Sequence, residues 1–77
     1  MRRGNPTLIR GLHYFEAVAR NVSIKKAAAE LKVSESAVSH QLRELTDVLG
    51  EHLFVRSGRG IALTPVGAKL SHRLQGN

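Results

Sequence analysis

Residues 23–49 read SIKKAAAELKVSESAVSHQLRELTDVL, and the fold turns on how this stretch divides. Ile24, Ala27, Ala28 and Leu31 recur at helical spacing. After a break at Lys32-Val33-Ser34, Val38, Leu42, Leu45 and Leu49 step by i, i+4, i+7 and i+11, one stripe of a helix. Two helices joined by so short a turn predict a helix-turn-helix, whose second helix can enter a DNA major groove.

The polar residues support that division. Ser23 and Ser34 stand where each helix needs a cap, since a serine hydroxyl accepts a hydrogen bond from an otherwise unpaired N–H of the first turn. Lys25 and Lys26 follow Ser23, although a helix N-terminus favours anions. Either they are solvated and tolerated at small cost, or this end faces a phosphate that both the lysines and the helix dipole attract; the second reading is preferred. Ser23, Lys25, Lys26 and Ser34 are thus candidate contacts to a nucleic-acid backbone. Outside the apolar stripe of the second helix lie Glu35, Ser36, Ser39, His40 and Arg43, near the end where recognition helices meet base edges. Standing alone, that face would read as ordinary solvated surface. Glu44, Asp47 and Glu51 come later.

Before this pair, Met1 to Pro6 reads as a loose basic arm carrying Arg2 and Arg3. Thr7 is the expected cap of a first helix with Leu8, Leu12, Phe15, Ala19 and Val22 on its face, widened by Ile9 and Val18. That helix ends near Arg20, with Asn21 as its left-handed stop. Gly11 weakens it by about 1 kcal/mol relative to alanine, and Phe15 is expected where the three helices converge. After the pair, Gly50 fits the left-handed position that ends many helices. Leu53-Phe54-Val55 and Ile61-Ala62-Leu63 flank a basic turn over residues 56–60, a β-hairpin. A hairpin beside a helix-turn-helix is a wing, here with Arg56 on a phosphate and Arg59 near a minor groove. Thr64-Pro65 starts a last helix, a capping residue followed by proline at the first helical position. Its narrow stripe, Val66, Leu70 and Leu74, docks on the first helix or pairs with a second copy; Gly76 and Asn77 then stop it.

The 77 residues make one small domain, 1–77, whose core is marginal but feasible. Twelve Lys and Arg against six Asp and Glu leave a charge of +6, which suggests a polyanionic partner. Only Tyr14, Phe15 and Phe54 are aromatic, which argues against single-strand binding by base stacking. The absence of cysteine removes disulfides and thiolate metal sites. No apolar run approaches the ~20 residues of a membrane span, and the start lacks the apolar region of a secretory signal. His13, His40, His52 and His72 show no metal-ligand spacing. Catalysis is not expected, and no cofactor or metal is implied.

The combined row resembles the N-terminal DNA-binding domain of LysR-type transcriptional regulators. The resemblance runs from about Leu8 to Leu70 and rests on order and spacing: Leu12-His13-Tyr14-Phe15, Ser23-Ile24-Lys25-Lys26-Ala27-Ala28, Val33-Ser34, Ala37-Val38-Ser39, Gln41-Leu42, Leu45, Leu49-Gly50, Leu53-Phe54-Val55-Arg56, Leu63-Thr64 and Gly67. It implies a mainly α, winged helix-turn-helix fold: a three-helix core, a short hairpin wing and a linker helix over residues 64–75 that dimerises. It also implies a separate effector domain, absent from these residues, where any small-molecule effector would bind. Three departures from the family pattern fall within these residues. Glu35-Ser36 stand where Gln-Pro is common, His40 where arginine is common, and Thr46 where glutamate is common. An acid near the groove can accept a hydrogen bond from cytosine N4, so the first two departures bear on which sequence is read. The expected function is sequence-specific duplex DNA binding for bacterial transcription control in the cytoplasm. The expected recognition helix is 34–49, and a weak homodimer forms through the last helix. The competing class is a winged-helix protein-interaction module.

Overall fold

The computed structural model describes residues 6–58 and 60–75. Four helices and one hairpin follow one another: α1 (Pro6–Asn21), α2 (Ile24–Leu31), α3 (Glu35–Leu49), β1 (Phe54–Ser57), β2 (Gly60–Leu63) and α4 (Pro65–Gln75). The mainly α architecture is that of a three-helix core with a wing and a trailing helix.

The two serines cap as expected. Ser23 Oγ accepts from the Lys26 N–H at 3.0 Å, and Ser34 Oγ from the Ala37 N–H at 3.0 Å. Between them α2 closes on Lys32 in the left-handed conformation, φ 61°. The Val33 N–H donates to Ala28 O at 3.0 Å and the Lys32 N–H to Ala29 O at 3.3 Å, a crossed pair that occupies the last carbonyls of α2. Gly50, φ 73°, ends α3. The end of α1 differs from expectation. The helix begins at Pro6, so Thr7 lies within its first turn, and it runs through Asn21. Val22, not Asn21, takes the left-handed turn, φ 50°. Asn21 remains helical because its side-chain amide donates to Ala17 O at 2.8 Å and to Glu30 Oε1 at 2.9 Å.

The core has two lobes. Ala17, Val18, Ala27, Ala28 and Val38 fill the junction of α1, α2 and α3, with Tyr14, Ile24, Leu31, Val33 and Leu42 packed around them. Phe15, Leu45 and Leu53 form a second lobe, joined by Phe54, Leu63 and Leu70. Phe15 is therefore fully buried, but against α3, the hairpin and α4, its ring centroid 5.3 Å from that of Phe54. Val18 and the small Ala17 occupy the three-helix junction instead, where only short side chains let α1 and α2 approach. Ile9 and Val22, expected on the inner face of α1, are 60% and 55% exposed. Gly11 is buried; a Cβ there would stand 3.0 Å from Leu45 Cβ, so its missing side chain brings α1 close to α3.

The hairpin pairs Phe54 with Leu63, Val55 with Ala62, Arg56 with Ile61 and Ser57 with Gly60. The turn is tighter than the expected 56–60, because Arg56, Ser57 and Gly60 are strand residues; Arg59 lies outside the described residues. Of the arm expected over Met1 to Pro6, Pro6 is the first residue of α1 and the rest lies outside the described residues, as does the stop at Gly76 and Asn77. Thr64 joins hairpin to helix. Its N–H donates to Leu53 O at 3.0 Å, its hydroxyl donates to His52 O at 2.7 Å, and the same hydroxyl accepts from the Gly67 N–H at 3.0 Å.

Candidate nucleic-acid interface

The start of α3 is the centre of the candidate surface. Glu35, Ser36, His40 and Arg43 are exposed and Ser39 is half-buried. Their spacing puts Ser36, His40 and Arg43 on the side of α3 away from the buried Val38 and Leu45, with Ser39 and Glu35 toward its edge. Within this face they divide. Ser39 and Arg43 line a crevice floored by Ile24, Leu42, Leu53 and Phe54. Glu35 lines a second hollow with Ser23, Lys25, Arg56 and Ile61, between the start of α2 and the wing. His40 points its Nε2 at Glu44 Oε2, 3.3 Å away and one turn on. With 60% of its side chain exposed, His40 can exchange this partner for another acceptor.

Positive charge frames that face. The first turn of α2 carries Lys25 and Lys26 and no acid, and both lysines are exposed. Backbone N–H groups at a helix start and two lysines all favour an anion. Arg56 reaches the same hollow from β1, so one anion-attracting recess draws on two elements far apart in sequence. Ser23 and Ser34, named above as backbone contacts, spend their oxygens on caps; each keeps a hydroxyl hydrogen to donate.

Two acids, Glu16 and Glu30, are engaged away from this face. Arg20 binds Glu16 through Nε at 2.7 Å and a terminal nitrogen at 3.0 Å, and grips both oxygens of Glu30 at 2.6 and 2.9 Å. Hydrogen bonds from Arg20, then Asn21, draw the Glu30 carboxyl down to about 2. The hydrogen bond from Arg20 lowers that of Glu16, and the two carboxylates push the guanidinium further up. The spacing of Glu16 and Arg20 is a sequence signal for the first pair; nothing local announces Glu30.

The expected dimer stripe is split. Leu70 turns inward onto the lobe of Phe15, Leu45 and Leu53, while Val66 and Leu74 are 38% and 41% exposed. Among the described residues, no helix is long and apolar enough to cross a membrane.

A sequence profile described as "bacterial regulatory helix-turn-helix protein, lysR family" matches residues 9–68. The chain belongs to the LysR family. Its LysR domain is 50% identical over 70 residues to the transcriptional regulator TrpI of Pseudomonas aeruginosa, covering 91% of this chain and 23% of TrpI. It superposes on the BenM DNA-binding domain, solved on catB site 1 DNA, with a TM-score of 0.77 and 35% identity, covering 82% of this chain and 71% of that one. For the CbnR DNA-binding domain, also solved on DNA, the values are 0.76 and 40%, covering 80% and 71%. The winged helix-turn-helix expected from residues 23–63 is the fold these domains share. The family is one of transcriptional regulators, not of enzymes. The chain spans about a fifth of the length of the curated relatives it matches.

Proposed function

We propose that this LysR-family domain binds duplex DNA sequence-specifically in the bacterial cytoplasm, in the service of transcription control. The observation that carries the reading is the recess that Lys25 and Arg56 line together with Glu35 of α3, because it sets two cations beside an exposed polar helix end. The lysines and Arg56 hold phosphates of the two strands, which sets register but carries no sequence information. Ser36, Ser39, His40 and Arg43 then meet base edges in the major groove. Glu35 stands at the boundary between the two sets, placed to accept from a cytosine amine and to repel a misplaced phosphate. The wing approaches the adjoining minor groove, and Arg59 is the residue assigned to it.

Two copies on one operator would pair through α4. Leu70 serves the copy's own core, so the pairing surface reduces to Val66, Leu74 and their neighbours, and a weak dimer strengthened by adjacent half-sites is the expected form.

The test is a salt titration of binding to selected and to random duplexes. Phosphate contacts make affinity fall steeply with salt. Lys26→Ala is expected to weaken binding to both duplexes alike and to flatten the slope by roughly one unit. Salt-independent binding, or no preference for the selected duplex, would favour the protein-interaction module instead.

A further inference from the structure

Val22 sits where its residue type costs most. At φ 50° its backbone is left-handed, a conformation that β-branched residues rarely adopt. Its side chain is not compensated by packing, since Val22 is 55% exposed. The geometry is imposed from both sides. The Val22 N–H donates to Val18 O at 2.7 Å, and Arg20 and Asn21 are tied to Glu30 on α2. Ser23, the next residue, is extended at φ −163° and committed as the α2 cap. The chain must pass from α1 to α2 within two residues, and Val22 makes the turn. Strain that the surroundings enforce without return in packing points outward, to a ligand.

Val22 lines the hollow that holds Ser23, Lys25, Glu35 and Arg56. The hollow combines apolar side chains, Val22, Ile24, Phe54, Val55 and Ile61, with two cations and one acid. A nucleic-acid strand has the complementary pattern, anionic phosphates alternating with the C–H faces of deoxyribose. We propose that Val22 is a DNA-contact residue, its isopropyl group seated on a deoxyribose next to a phosphate held by Lys25 and Arg56. This rests on the DNA-binding reading and adds to it an apolar contact that is independent of sequence and of charge. Val22 is held in place by the Arg20–Glu30 clamp, which acts as a positioning device.

The test compares the parent chain with Val22→Gly, Val22→Asn and Lys26→Ala, measuring thermal unfolding and duplex affinity over a salt series. Glycine and asparagine tolerate the left-handed turn, so both Val22 variants should melt no lower than the parent. Both should bind selected and random duplexes about three- to tenfold more weakly. Their salt slope should equal that of the parent, because no charge is lost, whereas Lys26→Ala flattens it. Unchanged affinity in either Val22 variant would overturn the proposal while leaving the DNA-binding reading intact. So would a loss confined to one base sequence, which would make Val22 a base contact, or a lowered melting temperature, which would make it structural. A parent chain that binds no duplex would remove the reading itself, and the proposal with it.

Discussion

Replacing Gly67 by alanine should destabilise the domain although it improves the helix propensity of α4. A Cβ at Gly67 would lie 2.2 Å from Leu53 O, 3.0 Å from Leu53 C and 3.1 Å from Leu63 Cδ2. To bring the first distance to 3.0 Å, the helix and the backbone of Leu53 must part by about 0.8 Å. That movement loosens the two hydrogen bonds from Thr64 to Leu53 O and His52 O. Overpacking of this kind costs about 1–3 kcal/mol, each weakened hydrogen bond up to about 1 kcal/mol, and the propensity gain returns about 1 kcal/mol. Taking the middle of each range, the net is about 2 kcal/mol of lost stability, or roughly 8–16 °C in melting temperature for a domain of this size. Circular dichroism during heating reads it directly. Gly11→Ala is the comparison, because there the Cβ meets only Leu45 Cβ, Cδ1 and Cγ at 3.0–3.4 Å, so α1 and the buried Leu45 need part by only a few tenths of an ångström. Its cost and its propensity gain nearly cancel, leaving a change of about 1 kcal/mol or less. A Gly67→Ala protein that melts with the parent, or a Gly11→Ala protein that melts lower than Gly67→Ala, would refute the reasoning.

Further outcomes follow from the same contacts. His40→Ala should reduce discrimination at one or two base pairs by about 1–3 kcal/mol, measured on single-substitution operators; equal weakening on every sequence would make His40 a phosphate contact. The folded Glu30 carboxyl, at about 2, lies below its ordinary 4.5, so its contribution to stability is full above pH 4.5 and is lost as pH falls toward 2. Acid unfolding of Arg20→Ala should therefore show a weaker dependence on pH across that window, and an unchanged profile would count against the clamp. Sedimentation across a concentration series should give a monomer or weak dimer without DNA, since Val66 and Leu74 offer too little apolar surface to offset the several kcal/mol lost on association. A dimer persisting at nanomolar protein would contradict this.

The features legible in the sequence are those decided by near neighbours. Ser23, Ser34, Thr64 and Gly50 act within one turn of themselves, and each caps or closes a helix as its residue type predicts. Period alone places Val38 and Leu45 inside and the Ser36–His40 face outside. What escapes is set by partners distant in sequence. Phe15 is large and apolar, but only the folding of Leu53 and the hairpin over α1 decides which lobe receives it. Ala17 reads as indifferent until the closeness of α2 makes its smallness necessary. Residue preference assigns the left-handed turn to Asn21, and a tertiary bond to Glu30 transfers it to Val22. Likewise Leu70 shares a stripe with Val66 and Leu74, and only the course of α4 over the second lobe separates them.

The double attachment of Thr64 to residues 52 and 53 makes α4 a crank arm whose axle is the root of the wing. Eleven helical residues give the arm a length of about 16 Å. A swing of only about 10° at the root would carry the far end about 3 Å over such a length. The coupling runs both ways. A torque applied to the end of α4 reaches the root of the wing through Thr64 and, through Leu70, the lobe of Phe15, Leu45 and Leu53.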